Sequence, residues 1–486
     1  MSAFDPAGFT ELIALIGLLV LVAGLASGLI ERLGLPAVAV FLGLGTLLGP
    51  YGLGLIDFGL GSPALMTIAI LSLVLVLFTD AVSVDLKAVK RHALVAGIVL
   101  GPGTLLAAAI TAFAAWKFLG VSPAAAAILG AALSSTDPVM MRGLLRLPEV
   151  PASARIPLRI ESGLNDVVVL PIVLIAMVFL GTGGAGERTP GQVALSVFLL
   201  GPLIGVLVAL ITVRAMVYAR GWMGMRRDYE SLYVLGIAFT AYAVAESFHA
   251  SGFMAAFAAG LTVSSADVEL CDCFKDYGEA TAEMFLLLSF TAFGASLIWT
   301  GLDVLDGPNL LVAGVALLGR PLVLSLLLPR RELDPVARRL IIWFGPRALS
   351  SLLLVLLPVV AGIPGAERLF PVTALVVLLS VVGHGAMLAW STHWLKVRAE
   401  KGEGKQEPGI AGADIVGHPE LITFEELGRL QAAKAPLVLL DVRSTRGYEG
   451  SPLKAQGAIR LSPDTPAENA ARLALPRESW LVAYCA

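Results

Sequence analysis

The stretch RIESGLNDVVVLP, residues 159–171, sets Arg159, Glu161, Asn165 and Asp166 within eight positions, with apolar runs after them. An ionised side chain at the centre of a bilayer costs roughly 2.5–3.5 kcal/mol on insertion scales. Asp137, Glu161, Asp166, Arg320 and Arg347 all fall near the middle of apolar segments. Left unpaired, such a set costs on the order of 10 kcal/mol, as much as a typical fold's whole stability. Structural ion pairs holding a bundle together are one explanation. Placement along an ion pathway is the reading favoured here.

The spacing supports it. Glu161, Ser162, Asn165 and Asp166 stand at i, i+1, i+4 and i+5, one arc of a helix, with Leu164, Val167 and Val168 on or near the other side. In SSTDPVM, residues 134–140, Pro138 removes a backbone donor, and Ser134, Ser135, Thr136 and Asp137 compete for backbone hydrogen bonds. A membrane helix unwinds under those conditions and leaves half-helix ends. FGPRALSS, residues 344–351, repeats the pattern with Gly-Pro followed by Arg347. Two broken helices in corresponding positions of two halves point to a transport site between them. The halves share pattern, not recognisable identity. Carboxylate, hydroxyl and bare carbonyl oxygens suit a hard monovalent cation. A proton and a cation competing for one dehydrated carboxylate is all that exchange requires.

These residues need a membrane bundle to position them. The chain has 486 residues, 57% hydrophobic and 15% charged, with a mean hydropathy of +0.85. A soluble domain is roughly 45–50% apolar and about 25% charged, so an all-α polytopic membrane protein is the class. A window of about 19 residues gives candidate spans at 9–30, 35–50, 63–84, 92–119, 123–146, 156–180, 192–217, 230–249, 252–266, 279–299, 308–328, 338–360 and 369–395. Broken spans five and twelve lie seven apart, so the repeats have opposite orientation. Arg and Lys concentrate in alternate loops, around Lys87–Arg91, Arg142–Arg155, Arg214–Arg227 and Arg330–Arg339. The positive-inside rule places those loops in the cytoplasm, the N-terminus outside and the C-terminus inside. Asp5 and Glu11 with no basic n-region argue for a retained first span rather than a cleaved signal.

The transmembrane domain is expected over 1–395, a Gly-rich charged linker over 396–413, and a small α/β segment over 414–486 with strands at PLVLLDV and WLVAY. Cys271 and Cys273, read as lying in an acidic cytoplasmic loop, supply too few ligands for a metal. His384 and His393 in the last span suggest no chemistry by themselves.

STDPV followed by ESGLND resembles the signature pair of the monovalent cation/proton antiporter family 1, the sodium/proton exchangers. LFTDAVSVDL at 77–86, SGFMAAFAAGL at 251–261, GRPLV at 319–323 and GPRALS at 345–350 extend the resemblance over most of 1–395. Two positions depart from the family pattern: Val167 after the Asn-Asp pair, and Ala348 after Arg347. The resemblance implies an inverted-repeat antiporter fold of about thirteen helices with two broken crossing helices, and a homodimer. It implies that Asp166 binds cation and proton in turn, with Thr136, Asp137 and Ser162 helping to coordinate the ion. Asn165 stands where electrogenic relatives have a second Asp, which implies an electroneutral cycle. Glu161 would pair with Arg320, Arg347 would balance the break in its span, and Asp80 would join the site or line the cytoplasmic funnel.

The C-terminal segment resembles a rhodanese-like domain through ITFEELGRL, LVLLDVRS, YEGS, GAIRLSP and LVAYC, with Cys485 at the family's nucleophile position. The loop that would cradle that thiol is not in the sequence, so sulfurtransferase activity is not expected. The reading is therefore a transporter rather than an enzyme, in the plasma (inner) membrane. It exchanges sodium, or alternatively potassium, for protons, without cofactor, resident metal or nucleic-acid partner. A substrate symporter or receptor on a related scaffold is the rival of another class.

Overall fold

With no water in the hydrocarbon core to bond backbone groups, apolar segments satisfy them internally as helices. The computed structural model describes residues 37–84, 93–145, 150–181, 189–223, 227–266, 268–329 and 333–400, parts of 427–484, and a few isolated positions. The helices in order are α1 (Ala37–Leu48), α2 (Pro63–Ser83), α3 (Ala93–Leu119), α4 (Pro123–Ala132), α5 (Pro138–Leu145), α6 (Ala152–Gly181) and α7 (190–223). Then come α8 (Arg227–Ser247), α9 (Gly252–Ala266), α10 (Val268–Ala295), α11 (Gly307–Leu327), α12 (Pro335–Trp343), α13 (Leu349–Val360) and α14 (Leu369–Glu400). Among the described residues, six helices are long and apolar enough to cross a bilayer. The pairs α4–α5 and α12–α13 are each one expected span, broken in the middle.

Small residues set the close approaches. A Cβ on Gly45 of α1 would sit 2.1 Å from the Thr291 carbonyl oxygen of α10, so only glycine lets these two backbones meet. The largest apolar core joins Phe41, Leu73, Leu129, Phe290, Leu352 and Phe370 from both halves of the bundle. Three smaller clusters are separate from it among the described residues, two of them sizeable. Leu144, Leu158, Leu324, Ile341 and Phe344 pack around α5, α6, α11 and α12. Phe78, Val213, Ile237 and Val263 pack around α2, α7, α8 and α9. Phe113, Trp116, Phe198, Leu207 and Leu322 are exposed, as side chains facing lipid should be.

Two boundaries differ from the sequence reading. Residues 268–278, expected in a loop, form the first turns of α10. The segment VELCDCFKDYGEATAE has no proline, so its charges ride on a helix rather than interrupting one. Helix α14 continues to Glu400, past the expected end at 395, because LKVRAE is made of good helix formers up to Gly402. The first expected span and nearly all of the linker lie outside the described residues, apart from Gly17 and Leu21 and the helical residues 396–400.

Residues 401–486 form a second unit. Its three-stranded sheet has the order β2-β1-β3, with β1 (Leu437–Asp441) parallel to both β2 (Ile459–Arg460) and β3 (Trp480–Tyr484). Asp441 is buried at the end of β1 and accepts from Arg443 Nη2 at 2.7 Å and from the Tyr484 hydroxyl at 2.9 Å. The Arg443 guanidinium holds its carboxyl well below the usual carboxylate range. Cys485 lies outside the described residues.

Candidate functional site

The break between α4 and α5 follows from its composition. Helix α4 ends at Ala132, and Ser134, Ser135, Thr136 and Asp137 continue as buried irregular backbone until Pro138 starts α5. Between α12 and α13, residues 344–348 are likewise non-helical and buried. The two breaks lie against each other. The Asp137 amide donates to the Pro346 carbonyl at 2.9 Å.

Breaking two helices inside a bundle leaves four ends with unpaired backbone groups. Asp137 serves two of them. Its Oδ1 accepts from the Val139 and Met140 amides, at 2.8 and 3.1 Å, at the start of α5. Its Oδ2 accepts from the Leu349 amide at 2.9 Å, at the start of α13. Arg347 serves a third end: Nη1 donates to the Ser134 and Ser135 carbonyls, at 2.5 and 2.8 Å, beyond the C-terminus of α4. A carboxylate therefore sits at two positive helix ends and a guanidinium at a negative one, the favourable sense of the helix dipole. Gly345 has its own reason. A Cβ there would lie 2.8 Å from the Arg320 guanidinium carbon.

Helix α6 carries the polar arc past this crossing. Glu161, Ser162, Asn165 and Asp166 are buried, while Gly163, Leu164, Val167 and Val168 are less so, the pattern their spacing predicts. Glu161 and Arg320 form a bidentate pair: Nε to Oε1 at 2.7 Å and Nη2 to Oε2 at 2.5 Å. The remaining Arg320 nitrogen donates to the Ile342 carbonyl at 3.0 Å. Full satisfaction of this kind is what a buried ion pair needs to be tolerated.

Asp166, five residues along the same arc, has no cation beside it among the described residues. Its Oδ1 accepts from the Ser135 hydroxyl at 2.5 Å, and the Ser350 hydroxyl of α13 lies near the same carboxylate. Asn165 Nδ2 donates to the Thr136 hydroxyl at 2.9 Å and to the Ser134 carbonyl at 3.3 Å. Asn165 Oδ1 is buried with no partner among the described residues. An orphaned acceptor inside a protein is costly, and here it belongs to the residue next to Asp166 in the chain. Ser162 is turned to its own helix, donating to the Arg159 carbonyl at 3.1 Å. Asp80 of α2 runs past the same face, its Cβ 3.8 Å from where a Cβ on Gly163 would be.

The breaks thus gather Thr136, Asn165 and Asp166, and they give Asp137 and Arg347 to helix ends. Ser135 and Ser350 at the Asp166 carboxylate were not singled out as ligands in the sequence. The only available signal was their position at a break, in SSTDP and GPRALSS. The arrangement offers carboxylate, amide and hydroxyl oxygens, the donor set of a small hard cation. It also offers one carboxylate, free of any paired base, that can exchange a proton.

A family model described as the transmembrane sodium/hydrogen exchanger matches residues 17–394. The K(+)/H(+) antiporter NhaP of Alkalimonas amylolytica is 28% identical over 423 residues, covering 85% of this chain and 72% of that protein. The K(+)/H(+) antiporter NhaP2 of Shewanella sp. (strain MR-4) is 29% identical over 396 residues, covering 78% of this chain. The chain spans 72% and 66% of the length of these two relatives. Among solved structures, the sodium proton antiporter MjNhaP1 from Methanocaldococcus jannaschii at pH 8 superposes with a TM-score of 0.64 at 20% identity. That match covers 78% of this chain and 99% of the other. A second structure of that antiporter, from electron microscopy, gives a TM-score of 0.63 at 22% identity over 80% of this chain and 98% of its own. At such identity the likeness shows the fold.

Proposed function

The chain belongs to the transmembrane sodium/hydrogen exchanger family, and from that membership we propose that Asp166 is the group on which cation and proton alternate. The observation that carries this is the contrast among the buried charges. Glu161 and Arg320 neutralise each other, and Asp137 and Arg347 serve helix ends. Among the described residues Asp166 takes its one hydrogen bond from a hydroxyl, that of Ser135. A monovalent cation displaces that donor, takes the Asp166 carboxylate, and finds the orphaned Asn165 Oδ1 within the same site. A proton then takes its place on the carboxylate for the return half of the cycle. Thr136, Ser162 and Asp80 complete the site directly or through water, while Asp137 acts by holding the crossing in shape.

Sodium is our first reading, from the family. Potassium is the second, favoured by the names of the bacterial relatives. We further read the exchange as electroneutral, the protein as a homodimer in the plasma membrane, the basic loops as cytoplasmic, and residues 414–486 as a rhodanese-like appendage. The test is cation flux in proteoliposomes under an imposed pH gradient, with sodium and potassium offered separately. Proton movement coupled to either ion supports exchange and names the cation. Coupling to neither, in vesicles that reconstitute folded protein, overturns it.

A further inference from the structure

Arg347 is held from behind as well as in front. While its guanidinium reaches the α4 carbonyls, its own amide donates to Ser380 Oγ of α14 at 2.7 Å. Ser380 is fully buried, and its Oγ lies 3.1 Å from His384 Nδ1, one turn further along the helix. The His384 ring stands edge-on to Phe344, the first residue of the break, with centroids 6.2 Å apart. A hydrogen-bonded strut thus runs from the last helix into the broken span. Nothing in the exchange cycle described above uses it.

The direction of the hydrogen bonds matters. The Arg347 amide can only donate, so Ser380 Oγ accepts there and its own proton needs an acceptor. His384 Nδ1 supplies one when the ring is neutral and its proton is on Nε2. The alternative tautomer donates from Nδ1 to the Ser380 carbonyl, 3.2 Å away, and leaves the hydroxyl proton without that acceptor. Protonating the ring does the same and also adds a cation. The charged groups facing His384 from the neighbouring elements are Arg347 and Arg320. Arg320 is neutralised by Glu161, and Arg142 of α5 is turned to Glu283 of α10 at 3.0 Å. Arg347, bonded to carbonyls rather than to a carboxylate, is the charge that an imidazolium would meet in a poorly screened interior.

We propose that His384, acting through Ser380, is a positioning residue that holds the Arg347 segment in its exchange-competent shape only while its ring is neutral. Protonation of His384 then disengages the strut and lowers turnover on the acid side. This rests on the exchange reading for its transport readout, and a second readout is independent of it. Because the native geometry uses the neutral ring, acid opposes that geometry and lowers the stability of the folded chain.

The experiment compares the full-length wild type with His384→Asn, His384→Ala and Ser380→Ala. Asn keeps an acceptor near the Nδ1 position and cannot titrate; Ala removes it. Exchange is measured at saturating cation, where proton competition for Asp166 is suppressed, from about pH 8 down to about 3.5, a window that covers and extends below the range in which a free histidine changes charge. The wild-type saturated rate is expected to fall towards acid with a limiting slope of about tenfold per pH unit, the mark of one inactivating proton. His384→Asn should lose that fall, and it should recover rate lost by His384→Ala at neutral pH. In detergent, the melting temperature should drop on acidification more for wild type than for His384→Asn. Superimposable rate and melting profiles for wild type and His384→Asn overturn the proposal. So does a His384→Ala variant that His384→Asn does not outperform. A wild type that exchanges nothing would sink the exchange reading, and the melting comparison would still decide the strut.

Discussion

Asp137 and Arg347 each cap a helix of the other's broken span. Asp137 Oδ2 accepts from the Leu349 amide of α13 at 2.9 Å, and Arg347 Nη1 donates to the Ser134 and Ser135 carbonyls at 2.5 and 2.8 Å. The two breaks therefore hold each other open, and neither can be closed into a continuous helix without stranding a buried charge.

Removing Asp137 should be felt at both α5 and α13. A side-chain cap contributes about 0.5–2 kcal/mol, so Asp137→Ala, which uncaps two helices, should lower stability by roughly 1–4 kcal/mol. Asp137→Asn keeps one oxygen acceptor and should fall between. Thermal unfolding in detergent reads this directly. Equal melting temperatures for wild type and Asp137→Ala would mean the caps contribute nothing.

The Glu161–Arg320 pair makes a separate prediction about architecture. Breaking a buried pair by deleting one partner costs roughly 3–5 kcal/mol, because the survivor stays buried and uncompensated. Arg320→Ala should thus lower the melting temperature well beyond Asp166→Asn, which leaves its hydroxyl neighbours in place. Gly345→Ala should resemble Arg320→Ala in direction, since its Cβ would displace the guanidinium. A variant series in which Asp166→Asn is the least stable member would refute this ordering.

Much of this site could be read from residue order, and the readable part has a physical cause. The polar arc of α6 shows in the spacing of Glu161, Ser162, Asn165 and Asp166, because helical geometry turns spacing into direction. Both breaks show in Pro138 and in Gly345-Pro346, because backbone chemistry is local. What Asp137 bonds to is not local: its partner Leu349 is 212 residues away. Hence Asp137 read as an ion ligand, though its oxygens reach helix ends. Ser350 showed only by standing at a break, and Ser380 left no trace, since a hydroxyl in an apolar run satisfies itself on its own helix as easily as it reaches across. The helical start of α10 was missed because acidic residues and cysteines resemble a loop in composition.

Asn165 sets the charge carried per cycle. In the proposed cycle, with Asp166 as the one titrating carboxylate, one proton leaves for each monovalent cation bound, and no net charge crosses. The membrane potential is worth about 2.3 kcal/mol per charge per 100 mV, so an electroneutral cycle should ignore it. A potassium–valinomycin potential across proteoliposomes should leave sodium/proton exchange unchanged, provided potassium is not itself carried. A rate that follows the voltage would assign a second proton to Asp137 or Asp80.

The central claim is that one carboxylate is shared in turn by cation and proton, and Asp166→Asn tests it most directly. The amide nearly preserves size and hydrogen-bonding reach but neither titrates nor carries charge. Cation-driven proton movement should vanish in proteoliposomes of this variant, while its chromatographic profile and melting temperature stay close to wild type. Exchange persisting in folded Asp166→Asn protein would contradict the account.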